Sequence, residues 1–175
     1  MKFKFGVDTF IWAENYGEEH LWIIPKAKEL GFEVIDFAIS NPYTFPTEKV
    51  KKELERVGID CVCTTTLTKE TNPISPDSKI RKAAVGAVKK CIDICNELGA
   101  PILGGVNYAG WGYLTKKPRT EEEWKYGVDC MRESAEYAKK TGSVNICVEC
   151  VNRFETHFLN IAEDAVKFCK DVGVD

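Results

Sequence analysis

Residues Val144 to Asn160 read V-N-I-C-V-E-C-V-N-R-F-E-T-H-F-L-N. They follow a helical pattern closed by Thr141-Gly142. Val144, Ile146 and Val148 form the apolar run of a strand covered on both faces, and Glu149 ends it. A carboxylate there has no packing purpose. In parallel α/β folds ligands bind at the carboxyl ends of strands, which makes Glu149 a candidate functional group. The competing reading pairs Glu149 with Arg153 and merely stitches the turn that also carries Asn152, Glu155 and His157. On position alone the two stand level.

Working outward, the same punctuation recurs. Helical patterns end at Leu30-Gly31, Val57-Gly58, Leu98-Gly99, Thr141-Gly142 and Val172-Gly173, and apolar strands follow the first four directly. Glycine just past a helix takes the left-handed conformation that closes it, so each is predicted to be an αβ joint. With Phe3 to Phe10 as an opening strand, the count is five βα units. Helix starts are read at Ser75-Pro76, at the capping box Thr120-x-x-Glu123 and at Asn160-x-x-Glu163, which resembles one. Pro25 either precedes the first helix or sits in its first turn. Ile80, Ala84, Ala87, Cys91, Cys95 and Leu98 form one apolar stripe, and Trp124, Val128, Met131, Ala135 and Ala138 another, both assigned to the core.

Strict alternation of strand and helix means a parallel sheet with right-handed crossovers, either an open doubly wound sheet or a (β/α)8 barrel. G-V-D-T-F-I-W follows the first strand instead of G-x-G-x-x-G, which argues against dinucleotide binding. Long segments at Thr64 to Ile74 and Asn107 to Arg119 suit a barrel whose site is built from βα loops. In the second, Tyr108, Trp111 and Tyr113 lie among glycines, suited to stacking on a sugar or to plugging the barrel top.

The 175 residues are 44% hydrophobic and 29% charged, with a net charge of -3, as expected of one soluble domain spanning residues 1–175. No basic field for nucleic acid is present, and no apolar run long enough to span a membrane. The N-terminus lacks signal-peptide features, so a cytoplasmic protein is expected. Eight cysteines are scattered over helices and strands, and Cys147-x-x-Cys150 on an extended strand sets its thiols on opposite faces. They are read as free thiols, small and buried. A complete barrel typically takes about 250 residues. The reading is therefore either an open five-stranded sheet or a barrel cut short before its sixth strand.

Three segments carry a resemblance: G-V-D-T-F-I-W, G-G-V-N-Y-A-G-W and V-E-C-V-N-R-F-E-T-H-F-L-N. Over essentially the whole chain the sequence resembles the D-tagatose and D-psicose (D-allulose) 3-epimerases, ketose 3-epimerases among the xylose-isomerase-like barrels. The resemblance implies a (β/α)8 TIM barrel, here its first five βα units, and a divalent metal at the strand mouths, Mn2+ first, with Co2+ or Mg2+ as alternatives. It makes Glu149 both a metal ligand and a catalytic acid/base, Glu155 a holder of substrate hydroxyls, and Trp111 the residue that packs on the sugar. Asp8 and Thr66 fall at substrate-facing positions, Asp8 where relatives can carry an aromatic residue, and Thr64 and Thr66 where they can have glycines. The other metal ligands of such enzymes have no counterpart in these residues.

The implied reaction interconverts free ketohexoses by proton transfer at C3 through an enediolate, which needs carboxylates on both faces of that carbon. The full-length form is expected to be a homo-oligomer. Alternatives are another isomerase or dehydratase of the superfamily, or a non-catalytic partial barrel whose open edge a partner covers.

Overall fold

The computed structural model describes residues 3–142 and 144–174. Ser143, in the fourth αβ joint of the sequence reading, and Asp175 lie outside the described residues. Five strands, β1 (Gly6–Asp8), β2 (Val34–Ile39), β3 (Asp60–Thr66), β4 (Ile102–Val106) and β5 (Asn145–Ile146), alternate with five α-helices. These are α1 (Ile23–Glu29), α2 (Thr47–Val57), α3 (Ser78–Leu98), α4 (Glu121–Thr141) and α5 (Ala162–Val172). All pairings are parallel and the spatial order is β1-β2-β3-β4-β5. Each strand lies beside its neighbour in sequence, with no reversal of order. A doubly wound sheet requires such a reversal, whereas a barrel winds in one direction with its helices on one face. The sheet is therefore a sector of a (β/α) barrel.

Alternation along the strands separates two environments. Ile35, Phe37 and Ile39 of β2 and Cys61 and Cys63 of β3 are buried against the helices, in one cluster with Ile24, Val50, Ala84, Val88 and Cys91. In-register residues of the opposite face, Asp8, Asp36, Val62, Thr64 and Thr66, remain half-exposed. A second cluster joins Tyr108, Trp124, Val128, Met131, Phe158 and Phe168 under the carboxyl end of β4, between α4 and α5. Both helix stripes read from sequence lie in or against these clusters except for Ile80, which is half-buried outside them.

The helix boundaries follow local chemistry, with corrections. Gly58, Gly99 and Gly173 close α2, α3 and α5 in the left-handed conformation, with φ of 68°, 72° and 67°. Gly142 does not. Its backbone is extended, and a Cβ there would meet Asn96 Oδ1 at 1.9 Å, so a side chain at this position would have to displace the Asn96 amide. The Thr120–Glu123 capping box forms as expected. Helix α3 begins instead at Asp77, whose carboxylate accepts from Lys79 N, while Ser75 Oγ accepts from Asp77 N. Asn160 is no cap for α5; its amide ties Val151 O and Thr156 O across the preceding turn. Pro25 lies in the first turn of α1.

Two strands are shorter than the apolar pattern implies. Phe3 and Phe5 are 77% and 74% exposed outside β1, and Thr9–Ile11 turns as a 3₁₀ helix because Asp8 accepts from Phe10 N at 2.7 Å. Strand β5 pairs formally over two residues, although Cys147 N and Glu149 N extend its ladder to Leu103 O and Gly105 O. It is covered on the helix side alone, so Cys147 and Glu149 are exposed on the other. The cysteine reading needs the same correction. All eight thiols are free, but Cys147, Cys150 and Cys169 are exposed.

Candidate active site

The site grows from two loops at the carboxyl ends of β4 and β5. Near the end of β4 the chain kinks at Gly105, with φ of 100°, where a Cβ would lie 2.4 Å from Thr65 O. That kink carries Tyr108 into the core and Trp111 out over the mouth. Tyr108 is fully buried, and its hydroxyl donates to Glu149 O at 2.7 Å, fixing the last residue of the β5 segment. Tyr108 takes neither role read from sequence, being buried in the cluster between α4 and α5, whereas Trp111 is 52% exposed and free to stack.

The loop after β5 meets Trp111. Glu155 accepts from Trp111 Nε1 at 3.3 Å through one carboxylate oxygen and from the Asn152 amide through the other. Gly112 N donates to Glu155 O at 2.7 Å. Both oxygens are thus oriented by neutral donors, with no cation neutralising the carboxylate, which leaves it ready to accept hydroxyl protons.

Trp111 and Glu155 form one wall of a cavity of about 510 Å3. Thr64, Thr66 and Thr68 form its floor, and Phe10, Glu14, Asn15 and Ser40 the far side. Among the lining residues are hydroxyls, an amide, two carboxylates and two exposed aromatics, but no lysine or arginine. Such a lining suits a neutral polyol, gripped by hydrogen bonds at its edges and by apolar contact on its faces.

Of the residues singled out from sequence, Trp111, Glu155 and Thr66 come together here. Glu149 does not line this cavity. It is exposed on the inner face of the β5 segment and makes no ion pair with Arg153 among the described residues, which removes the turn-stitching reading. Asp8 also stands apart, its carboxylate capping the 3₁₀ turn.

Sequence reasoning missed Phe10, Glu14, Asn15 and Ser40, which belong to unpatterned loops after β1 and β2. It also missed Asp36, although a charge within F-E-V-I-D-F-A-I was a signal. Asp36 pairs in register with Asp8, and its Oδ1 is buried without a partner. Burial first, then the Asp8 carboxylate, pushes its pKa up to about 6, with the Thr64 hydroxyl opposing and Glu149 adding a smaller push. Asp8, Asp36 and Glu149 therefore share one electrostatic environment on the barrel's inner face.

A one-directional parallel barrel sector with a polyol-sized cavity and an exposed carboxylate at its mouth has the layout of a (β/α) barrel whose site is built from βα loops. Residues 24–175 match the xylose isomerase-like TIM barrel family, and the chain belongs to it. It is 30% identical over 174 residues to the D-psicose 3-epimerase of Ruminiclostridium cellulolyticum, covering 97% of this chain and 59% of that protein. The L-ribulose 3-epimerase of Mesorhizobium japonicum is 25% identical over 173 residues, covering 98% and 58%. The crystal structure of the D-allulose 3-epimerase from Methylomonas sp. in complex with D-allulose superposes with a TM-score of 0.92 at 25% identity, covering 98% of this chain and 59% of that one. The chain thus spans less than two thirds of these relatives.

Proposed function

We propose that this chain is the substrate-gripping part of a ketose 3-epimerase acting on free ketohexoses such as D-fructose/D-psicose or D-tagatose/D-sorbose. The observation that carries the reading is the hydrogen-bonded Trp111–Glu155 pair lining a polyol-sized cavity that bears no lysine or arginine among its described lining residues. Trp111 packs on a sugar face, and Glu155 accepts from its hydroxyls. Thr66 meets the substrate from the cavity lining, and Asp8, outside that lining and in register with Asp36, is assigned to the same substrate on the family resemblance. Glu149 takes the proton at C3, leaving an enediolate across C2 and C3. Return of a proton from the opposite face inverts the carbon and requires a second acid on that side.

A divalent cation would stabilise such an enediolate. The residues present do not fit one by themselves: Glu149 is a lone ligand, and among the described residues no three His, Cys, Asp or Glu side chains converge. No step here is routed through a metal. Mn2+ as native cation, with Co2+ or Mg2+ as alternatives, a cytoplasmic location and homo-oligomeric assembly belong to the same reading. No helix among the described residues is long and apolar enough to cross a membrane.

The test is to incubate D-fructose and Mn2+ with three proteins and follow D-psicose by chromatography. They are this chain, a version extended by the relatives' last three βα units, and that version carrying Glu149→Gln. Product is expected from the unmodified extended protein alone. Turnover by the 175 residues would overturn the two-acid argument, and an active Glu149→Gln protein would remove Glu149 from the mechanism.

A further inference from the structure

The segment Trp111 to Tyr113 meets the loop after β5 at three successive points. Trp111 Nε1 donates to Glu155 Oε1, Gly112 N donates to Glu155 O, and Tyr113 O faces His157 Nδ1 at 3.2 Å. The third contact differs from the others because its partner is anchored elsewhere. His157 Nε2 lies 3.1 Å from Glu123 Oε1, at the first turn of α4.

Glu123 divides its two oxygens between two tasks. Oε2 accepts from Thr120 N and the Thr120 hydroxyl and completes the capping box, which by itself satisfies the helix end. Oε1 is left for His157. The imidazole stands between a backbone carbonyl and a carboxylate, one facing each ring nitrogen, and the tautomer sets which of them receives the N–H. The side chains are 11% and 12% exposed. A buried polar pair of this kind gains little over apolar packing of equal volume, so stability alone does not account for it; fixing one arrangement of the chain does.

We propose that His157, held by Glu123, is a positioning residue that fixes the height of the Trp111–Glu155 pair over the cavity. The imidazole transmits the rigid end of α4 to the loop. Tyr113 O is two residues beyond Trp111, and His157 is two residues beyond Glu155, so one ring clamps both partners from the same side. The consequence for function rests on the sugar-site reading above, whereas the clamp itself does not.

The experiment is amide hydrogen exchange by NMR on the 175-residue chain without sugar, comparing wild type with His157→Ala, His157→Asn and His157→Gln. The readout is the Gly112 amide, which bridges the two loops. Two references separate positioning from general loosening. One is the Cys91 amide in α3. The other is the Trp124 indole N–H, bonded to Asp171 Oδ2 at 2.8 Å within the aromatic cluster beneath the loops. His157→Ala is expected to speed Gly112 exchange roughly fivefold to tenfold, as for loss of about one net hydrogen bond, with both references unchanged. Asparagine, whose amide nitrogen falls near Nδ1, should restore part of the protection through Tyr113 O. Glutamine, whose nitrogen falls near Nε2, should restore less. The proposal is overturned if Gly112 is unchanged in His157→Ala, if it moves by the same factor as Trp124 and Cys91, or if asparagine restores nothing. Because no sugar is present, failure of the epimerase assay would bear on the assigned activity and leave this result standing.

Discussion

Replacing Asp36 by asparagine should make the protein more stable at neutral pH and leave it nearly unchanged at pH 4. Asp36 sits on the inner face of β2 with one buried oxygen unpartnered and Asp8 alongside, and its pKa is raised from 3.8 to about 6. The folded state therefore holds the Asp36 proton more tightly than the unfolded state. Below pH 3.8 both states are protonated and the contribution to stability is fully present. Between 3.8 and 6 the unfolded chain ionises first, and stability is lost progressively; above about 6 the loss is complete. Two pKa units correspond to about 3 kcal/mol. The side chain is partly exposed, so solvent screening reduces the expected loss to about 1–2 kcal/mol. Asparagine keeps the shape and cannot ionise. Urea denaturation of both proteins at pH 4, 5, 6, 7 and 8, followed by circular dichroism, gives a difference from which the groups that do not interact with Asp36 cancel. That difference should open between pH 4 and 6 in favour of the variant and then stay level. A constant difference across the range, or one that grows in favour of the wild type, would refute the account of Asp36 as a desolvated, Asp8-repelled carboxylate.

Two further outcomes are expected. Calorimetric titration of the chain with Mn2+ should give no stoichiometric site of micromolar affinity, since among the described residues no three His, Cys, Asp or Glu side chains converge; such a site would show that another residue completes the sphere. Gly105→Ala should cost about 2 kcal/mol or more in urea unfolding, because φ there is 100° and the new methyl group would meet Thr65 O, and an unperturbed midpoint would contradict the kink at β4.

What could be read from the sequence was what local chemistry decides. Gly58 and Gly99 announced their helix ends because the left-handed residue is a property of a few neighbouring peptide units. Gly142 announced the same joint without taking that conformation, and a Cβ there would have to displace the Asn96 amide. Trp111 was legible as one of three aromatics among glycines at a strand mouth, but its role on a sugar, and that of Glu155, came only through the family resemblance. Glu14, Asn15 and Ser40 carry no such mark, and only the winding of β1 and β2 beside β3 brings them to the same cavity. Glu149 shows the limit most sharply. The run of Val144, Ile146 and Val148 reads as a strand covered on both faces, whereas the structure covers it on the helix side alone and leaves Glu149 exposed on the other. Glu123 marks the same boundary within a single side chain. One oxygen serves Thr120, three residues away, and was legible as a capping box. The other serves His157, 34 residues away, where no spacing rule reaches, and that second oxygen ties the helix to the loops of the site.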